Sequence, residues 1–473
     1  MTDMKKIFFL ILSLAFFTAC ERKINELTPN ANGLNFSRFV AVGNSMESGY
    51  ADGALYKSGQ ENSIPNILAR QLQLVGGGEF KQPLIGTEDG VGITAIPTGF
   101  YFTTKMVLKI VPDKDCYGNP VGTYSLKPAL LNPAADQATL MQQLFAPPTV
   151  TGPYNNMGVP GVTLQSLFYP RLGDPTPDGH PFNPFYVRFA SAPTASIIQD
   201  AAAQAPTFFS LWVGNNDALQ SALAGTDLLL TPIDTFAKYY PIAVFLLSPS
   251  GAAPKGVVAN IPDVTSIPFF TTISKSLPYN GVVLDSVQAA GLNQLYAMYL
   301  HPEIHWKAGA NPFVYDKGDG TWGQMGPEDL FLLTLPTDSM KCRGMGIADT
   351  TVHPIPKPYP IPGKFILTKS ELENIKAHVA AYNQIIAQTA SAAGLALVDM
   401  HSILNTFKSG MVFDGIKMNT SFVQGGMFSC DGVHLTPRGN AVAANYFIQA
   451  INAKYGCYIP EANITEYPGL VFP

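Results

Sequence analysis

Charge is scarce in this chain. Only 13% of its 473 residues are charged, and 34 acidic side chains outnumber 29 basic ones, for a net charge of −5. A nucleic-acid partner needs a basic stripe to displace counterions from phosphate, and this composition argues against one. Long apolar runs are lacking too. Beyond the amino terminus, no stretch reaches the roughly 20 residues of a bilayer-spanning helix. Cysteines number only five, with no Cys-x-x-Cys pair, which counts against a structural zinc site. Proline and glycine, by contrast, are plentiful at 39 and 42 residues. Alongside a hydrophobic content of 47%, they indicate ordered loops between buried elements rather than disorder.

At the amino terminus, Lys5 and Lys6 precede an apolar run from Ile7 to Phe17, which leads into Thr18-Ala19-Cys20. A charged start, a short apolar segment and small residues before a cysteine predict a secretory signal over residues 1–19. The closing tetrapeptide resembles a bacterial lipobox. That resemblance implies a lipid-modified Cys20 as the first mature residue, with cleavage elsewhere as the alternative. Residues 20–36 then read as a polar, lipid-anchored tether. Glu21 differs from the Asp that favours inner-membrane retention, so the expected anchor is the outer membrane. The other cysteines, Cys116, Cys342, Cys430 and Cys457, permit two disulfides in three pairings, or buried free thiols.

The remainder, 37–473, reads as one domain with large loop-rich insertions at about 51–150 and 262–365. Short apolar runs at Phe39–Val42, Phe208–Val213, Gly256–Asn260 and Leu395–Val398 end at turn residues. Parallel strands buried on both faces have this pattern. Ser370 and Glu373 fit a capping box, and Leu372, Ile375, Val379, Ile386 and Ala393 make a helical stripe that Gly394 terminates. A further helix is expected after Pro437, burying Ala441, Ala444, Phe447, Ile448 and Ile451. The alternation predicts an α/β fold with a parallel central sheet, whose functional residues belong at the carboxyl ends of strands.

Four separated stretches carry chemistry. In the first, Gly43-Asn44-Ser45 follows the first apolar run, so Ser45 sits at a tight turn where the next helix begins and its backbone N–H is free. An N-capping serine is the competing reading. Asp431 and His434, three apart, precede Pro437. A serine hydroxyl needs a base within hydrogen-bond reach. Imidazole can take and return its proton, and a carboxylate one turn away can hold the other ring nitrogen. Gly161, in Asn156-Met157-Gly158-Val159-Pro160-Gly161, offers an unobstructed backbone N–H. Asn216, in Gly214-Asn215-Asn216-Asp217, offers a side-chain amide. Together with Ser45 N these could form an oxyanion hole, although Asn and Gly are also common in plain turns.

These four blocks resemble those of the SGNH (or GDSL) hydrolases. The resemblance implies Ser45 as nucleophile, His434 as base and Asp431 as its partner. It also implies an oxyanion hole made by Ser45, Gly161 and Asn216, and a flavodoxin-like three-layer α/β/α sandwich. Asn260-Ile261-Pro262 also looks like the strand end that follows the third block in larger members. The family usually has Asp where this chain has Asn44. That side chain is expected to brace the turn, since Asn can accept similar hydrogen bonds, and its change could lower activity.

The expected activity is ester hydrolysis by a lipase-like or general carboxylesterase, with no cofactor or metal. The partners are an ester substrate, either a lipid or an acylated glycan, and the membrane reached through the anchor. A carbohydrate O-deacetylase, an acyltransferase and a non-catalytic glycan- or lipid-binding surface lipoprotein are the alternatives. Other motifs are weaker. His301 and His305 flank Pro302, which disfavours a helix, so zinc is not expected. Asp316-Lys317-Gly318-Asp319-Gly320 lacks the later Glu of a calcium loop. Phe100–Val111 and Ile267–Phe270 could form a lid or an acyl-chain wall, with core strands as the other reading.

Overall fold

The computed structural model describes residues 28–96, 99–248 and 255–473. The expected signal segment, Cys20 and residues 21–27 of the tether lie outside the described residues. Five short strands form the central sheet: β1 (Phe39–Gly43), β2 (Asn156–Gly158), β3 (Phe208–Trp212), β4 (Gly256–Ala259) and β5 (Ala396–Val398). All pairings are parallel, in the order β5-β4-β3-β1-β2. Every residue of β1, β3 and β4 is buried, which accounts for their unbroken apolar runs. The edge strand β2, Asn-Met-Gly, has no such pattern and was not among the expected strands.

Helices α1 (Ser45–Ser48), α2 (Ile64–Gln73), α3 (Ile197–Ala203), α4 (Asn215–Leu223), α5 (Ile233–Leu246), α6 (Lys369–Ala393), α7 (Met400–Phe407) and α8 (Pro437–Tyr455) lie between and after these strands along the chain. α8 packs on α2, β4 and β5, while α5 packs on both α3 and α6. The start of α6 differs from the expectation. Its capping box is Thr368 with Glu371, not Ser370 with Glu373. The same spacing fits both pairs. Immediately before it, Ile366–Leu367 pairs with Leu330–Phe331, so the chain leaves an extended strand at Leu367 and turns helical at once. The expected Gly394 stop is present at φ 67°. In α8, Ala441, Ala444, Phe447, Ile448 and Ile451 are all buried.

The interval 51–150 contains α2 and the antiparallel hairpins Gly92–Ile96/Gly99–Thr103 and Met106–Lys114/Pro120–Leu130. The interval 262–365 gathers Tyr296, Trp306, Phe313 and Phe331 into a hydrophobic cluster separate from the main core. One disulfide, Cys116–Cys342, joins the two intervals, whereas Cys430 and Cys457 are buried free thiols. Asp316 and Asp319 accept hydrogen bonds from their own turn, at Gly318 N and at Thr321 N and Oγ1. His301 stacks on Trp322 and pairs with Glu303. Among the described residues no group of three or more His, Cys, Asp or Glu is arranged to hold a metal ion, and no helix is long and apolar enough to cross a membrane.

Candidate active site

The strand order reverses at β1, which has β2 on one side and β3 on the other. Loops leaving adjacent strands in opposite senses open a crevice at the carboxyl ends. Ser45 lies there as the first residue of α1, directly after β1 and the N-cap Asn44. Asn44 Oδ1 accepts from Met46 N at 3.0 Å, the expected bracing role. As the first amide of the helix, Ser45 N has no intrahelical acceptor. Asn216 lies in the first turn of α4, beyond β3, and is 7% exposed.

Three hydrogen bonds stitch the Gly161 loop to α4. Asn216 Nδ2 donates to Val162 O at 2.9 Å, Gln220 Nε2 donates to Gly161 O at 2.9 Å, and Leu164 N donates to Asp217 Oδ2 at 2.9 Å. Burial pushes the Asp217 carboxyl up to about 6, against the lowering effect of the Leu164 amide. Gly161 holds φ 80°, and a Cβ there would meet only Asn183 Nδ2, at 4.0 Å. A side chain there would strain the backbone. Asn216 has a second amide hydrogen beyond the one given to Val162.

The Asp431–His434 block does not follow a sheet strand, contrary to the expectation for all four stretches. It forms a turn ahead of α8, bracketed by the Phe428–Leu435 bridge. Asp431 Oδ2 bonds His434 Nδ1 at 2.8 Å, and Oδ1 accepts from Val433 N and His434 N, each at 2.8 Å. Burial alone would raise the Asp431 carboxyl. The His434 charge and these hydrogen bonds outweigh it and hold the group well below the usual carboxylate range. The Tyr50 ring lies 4.9 Å from that of His434.

Ser45, Asn216 and His434 border one cavity with ≈780 Å³ of empty space, solvent at its mouth included. Its walls are mainly apolar, among them Met46, Trp212, Leu219, Ile267, Leu404 and Phe407. Gly161 and Asp431 do not line it: Asp431 stands behind His434, and Gly161 is held beside Asn216 through the loop. Of the expected wall segments, Ile267 contributes. Phe100–Val111 does not; it belongs to the two hairpins of the first interval. No known protein-family model matches this chain, and no curated protein does.

Proposed function

We propose that this chain is a serine ester hydrolase of the SGNH type, working through an acyl-enzyme. The reading rests above all on one observation: Ser45, Asn216 and His434 share a single cavity, and the second ring nitrogen of His434 is held by an ionised Asp431. Ser45 Oγ attacks the ester carbonyl carbon and passes its proton to His434 Nε2. The resulting oxyanion takes hydrogen bonds from Ser45 N and Asn216 Nδ2, whose residues border the cavity; Gly161 N, on the loop bonded to α4, is the third donor that the resemblance implies. Collapse of the adduct breaks the carbon–oxygen bond, and the imidazolium protonates the departing alcohol. Water, activated by the same imidazole, then releases the acid. The apolar walls favour an acyl group longer than acetyl, which sets the lipase-like reading ahead of the carbohydrate deacetylase.

A flavodoxin-like three-layer sandwich is part of the proposal. It is supported by the strand order, 2-1-3-4-5 in chain numbering, and by the two helix groups, α2 with α8 and α3 with α5 and α6. Export and lipid anchoring at Cys20 are proposed from the amino-terminal sequence. The Cys116–Cys342 disulfide is in keeping with an oxidising compartment.

Ser45→Ala is expected to abolish turnover of nitrophenyl esters while leaving the circular-dichroism spectrum unchanged. The wild type should prefer acyl chains longer than acetyl. Equal turnover by the variant would remove Ser45 as nucleophile. Acetate release from an acylated glycan, with no activity on longer chains, would move the substrate to the deacetylase class.

A further inference from the structure

We propose that Asp52 is a positioning residue for the acid–base pair: it locks the loop behind the nucleophile onto the segment carrying Asp431, and so fixes how that carboxylate meets His434. The inference rests on the hydrolase reading above. Asp52 lies seven residues beyond Ser45, in the left-handed region at φ 54°, a conformation that Asp tolerates better than most residues. Its groups reach both sides of the junction. Asp52 N donates to Ser429 Oγ at 3.0 Å, Oδ1 accepts from Cys430 N at 2.9 Å, and Oδ2 accepts from Tyr56 OH at 2.8 Å. Its carbonyl accepts from Met106 N at 2.8 Å, at the base of the long hairpin.

Two main-chain N–H groups of this loop, those of Asp52 and Gly53, lead to Asp431. Ser429 Oγ, which accepts from Asp52 N, donates to Asp431 Oδ1 at 3.0 Å. Gly53 N, next in the chain, donates to Asp431 Oδ2 at 2.9 Å, the oxygen that also holds His434 Nδ1. Each Asp431 oxygen is thus fixed by a bond whose partner is placed by Asp52. A turn needed only for folding could bond anywhere; this one converges on the carboxylate that orients the base. The arrangement also carries a cost. Asp52 is raised by burial and, after the Cys430 amide lowers it, raised again by the neighbouring Asp431 charge. The other groups facing it are Tyr56 and Cys430, with Lys105 lying over the Tyr56 ring at 4.2 Å. Two carboxyl groups this close are ordinarily kept apart.

The test compares Asp52→Ala, Asp52→Asn and Ser429→Ala with the wild type and with Ser45→Ala. Asp52→Ala removes the side-chain bonds to Cys430 N and Tyr56 OH that seat this loop. The loosened loop, whose main-chain N–H groups reach Ser429 and Asp431, is expected to lower kcat on the order of 10²-fold, with KM within a few-fold. Asn keeps an acceptor for Cys430 N, so Asp52→Asn should recover most of that loss. Ser429→Ala should fall between the two. The acid limb of the kcat profile should move to lower pH in Asp52→Ala, because loosening Asp431 disfavours the imidazolium; a merely structural role would leave it in place. If Asp52→Ala fails to fold, Ser429→Ala decides by the same two readouts. Unchanged kcat and an unmoved limb, with Ser45→Ala still inactive, overturn the role of Asp52 alone. Activity in Ser45→Ala overturns the hydrolase reading itself.

Discussion

His434→Ala is expected to lower kcat/KM for a nitrophenyl ester on the order of 10⁴-fold or more, with little change in folding. Among the described residues no other imidazole borders the cavity with Ser45, which leaves His434 as the proposed acceptor of the hydroxyl proton. The loss should fall almost wholly on kcat, because the apolar walls proposed to bind the acyl group are untouched. Asp431→Asn should cost on the order of 10³-fold, since an amide at that site can present a donor to Nδ1 and favour the wrong tautomer. The double variant should lose little more than His434→Ala alone, as expected for groups acting as one unit. Asp431 is held ionised far below neutrality, so it does not set the activity profile near pH 7. Its contribution to stability is present above the ordinary carboxylate range and lost as pH falls toward its depressed value. Steady-state kinetics of the three variants, with acid-unfolding curves, check this. Additive losses would contradict the coupling.

Glu47→Gln is expected to stabilise the protein by about 3 kcal/mol at pH 7, an unusual direction for a change beside the proposed nucleophile. Glu47 lies two residues after Ser45 and is fully buried, and neither carboxyl oxygen has a hydrogen-bond partner. The surrounding backbone leaves space for the acid and for little else. A Cβ on Gly43 would sit 2.4 Å from Glu47 Cγ, and one on Gly158 would sit 2.8 Å from Glu47 Cβ. Strands β1, β2 and β3 offer no titratable side chain, and on α2 the charged group is Arg70, bonded to Glu61 O.

Burial without a counter-charge pushes the Glu47 carboxyl up to about 8. Below its ordinary value of 4.5, the folded and unfolded chains are both protonated and the burial penalty for the ion is absent. Between that value and about 8, only the unfolded chain releases the proton, and stability falls by about 1.4 kcal/mol per pH unit. Above 8 both forms are ionised and the loss levels off. Gln removes that slope. Denaturant unfolding of both proteins at pH 4, 7 and 9 should therefore give curves that meet at low pH and separate at high pH. Parallel curves would show that Glu47 is not a buried neutral acid.

What was legible followed burial. β1, β3 and β4 are enclosed on both faces, so their sequences are apolar runs between turn residues; β5, at the far edge, keeps an apolar run although Leu397 is exposed. β2 has three residues along one edge, and it carries Asn156 because Nδ2 bonds Glu47 O and Gln82 Oε1; no alternation can record that. The start of α6 is ambiguous locally because Thr368-x-x-Glu371 and Ser370-x-x-Glu373 have the same form, and only strand pairing at Ile366–Leu367 distinguishes them. Ser45, Asn216 and His434 could be chosen by chemical type, and they border one cavity. Asp52, Ser429 and the cavity walls could not. Their meaning lies in contacts such as Asp52 with Cys430, across 378 residues. Likewise, the Cys116–Cys342 pairing spans 226 residues and carries no local signal.

The most direct test is covalent. Folded protein treated with a serine-directed fluorophosphonate, then digested and mapped by mass spectrometry, should carry one adduct, on Ser45, approaching one per chain. Ser45→Ala and denatured protein should remain unlabelled, and His434→Ala should label far more slowly. A folded protein that takes no label, or takes it on another serine, would contradict an activated nucleophile at Ser45 and leave the cavity as a binding site.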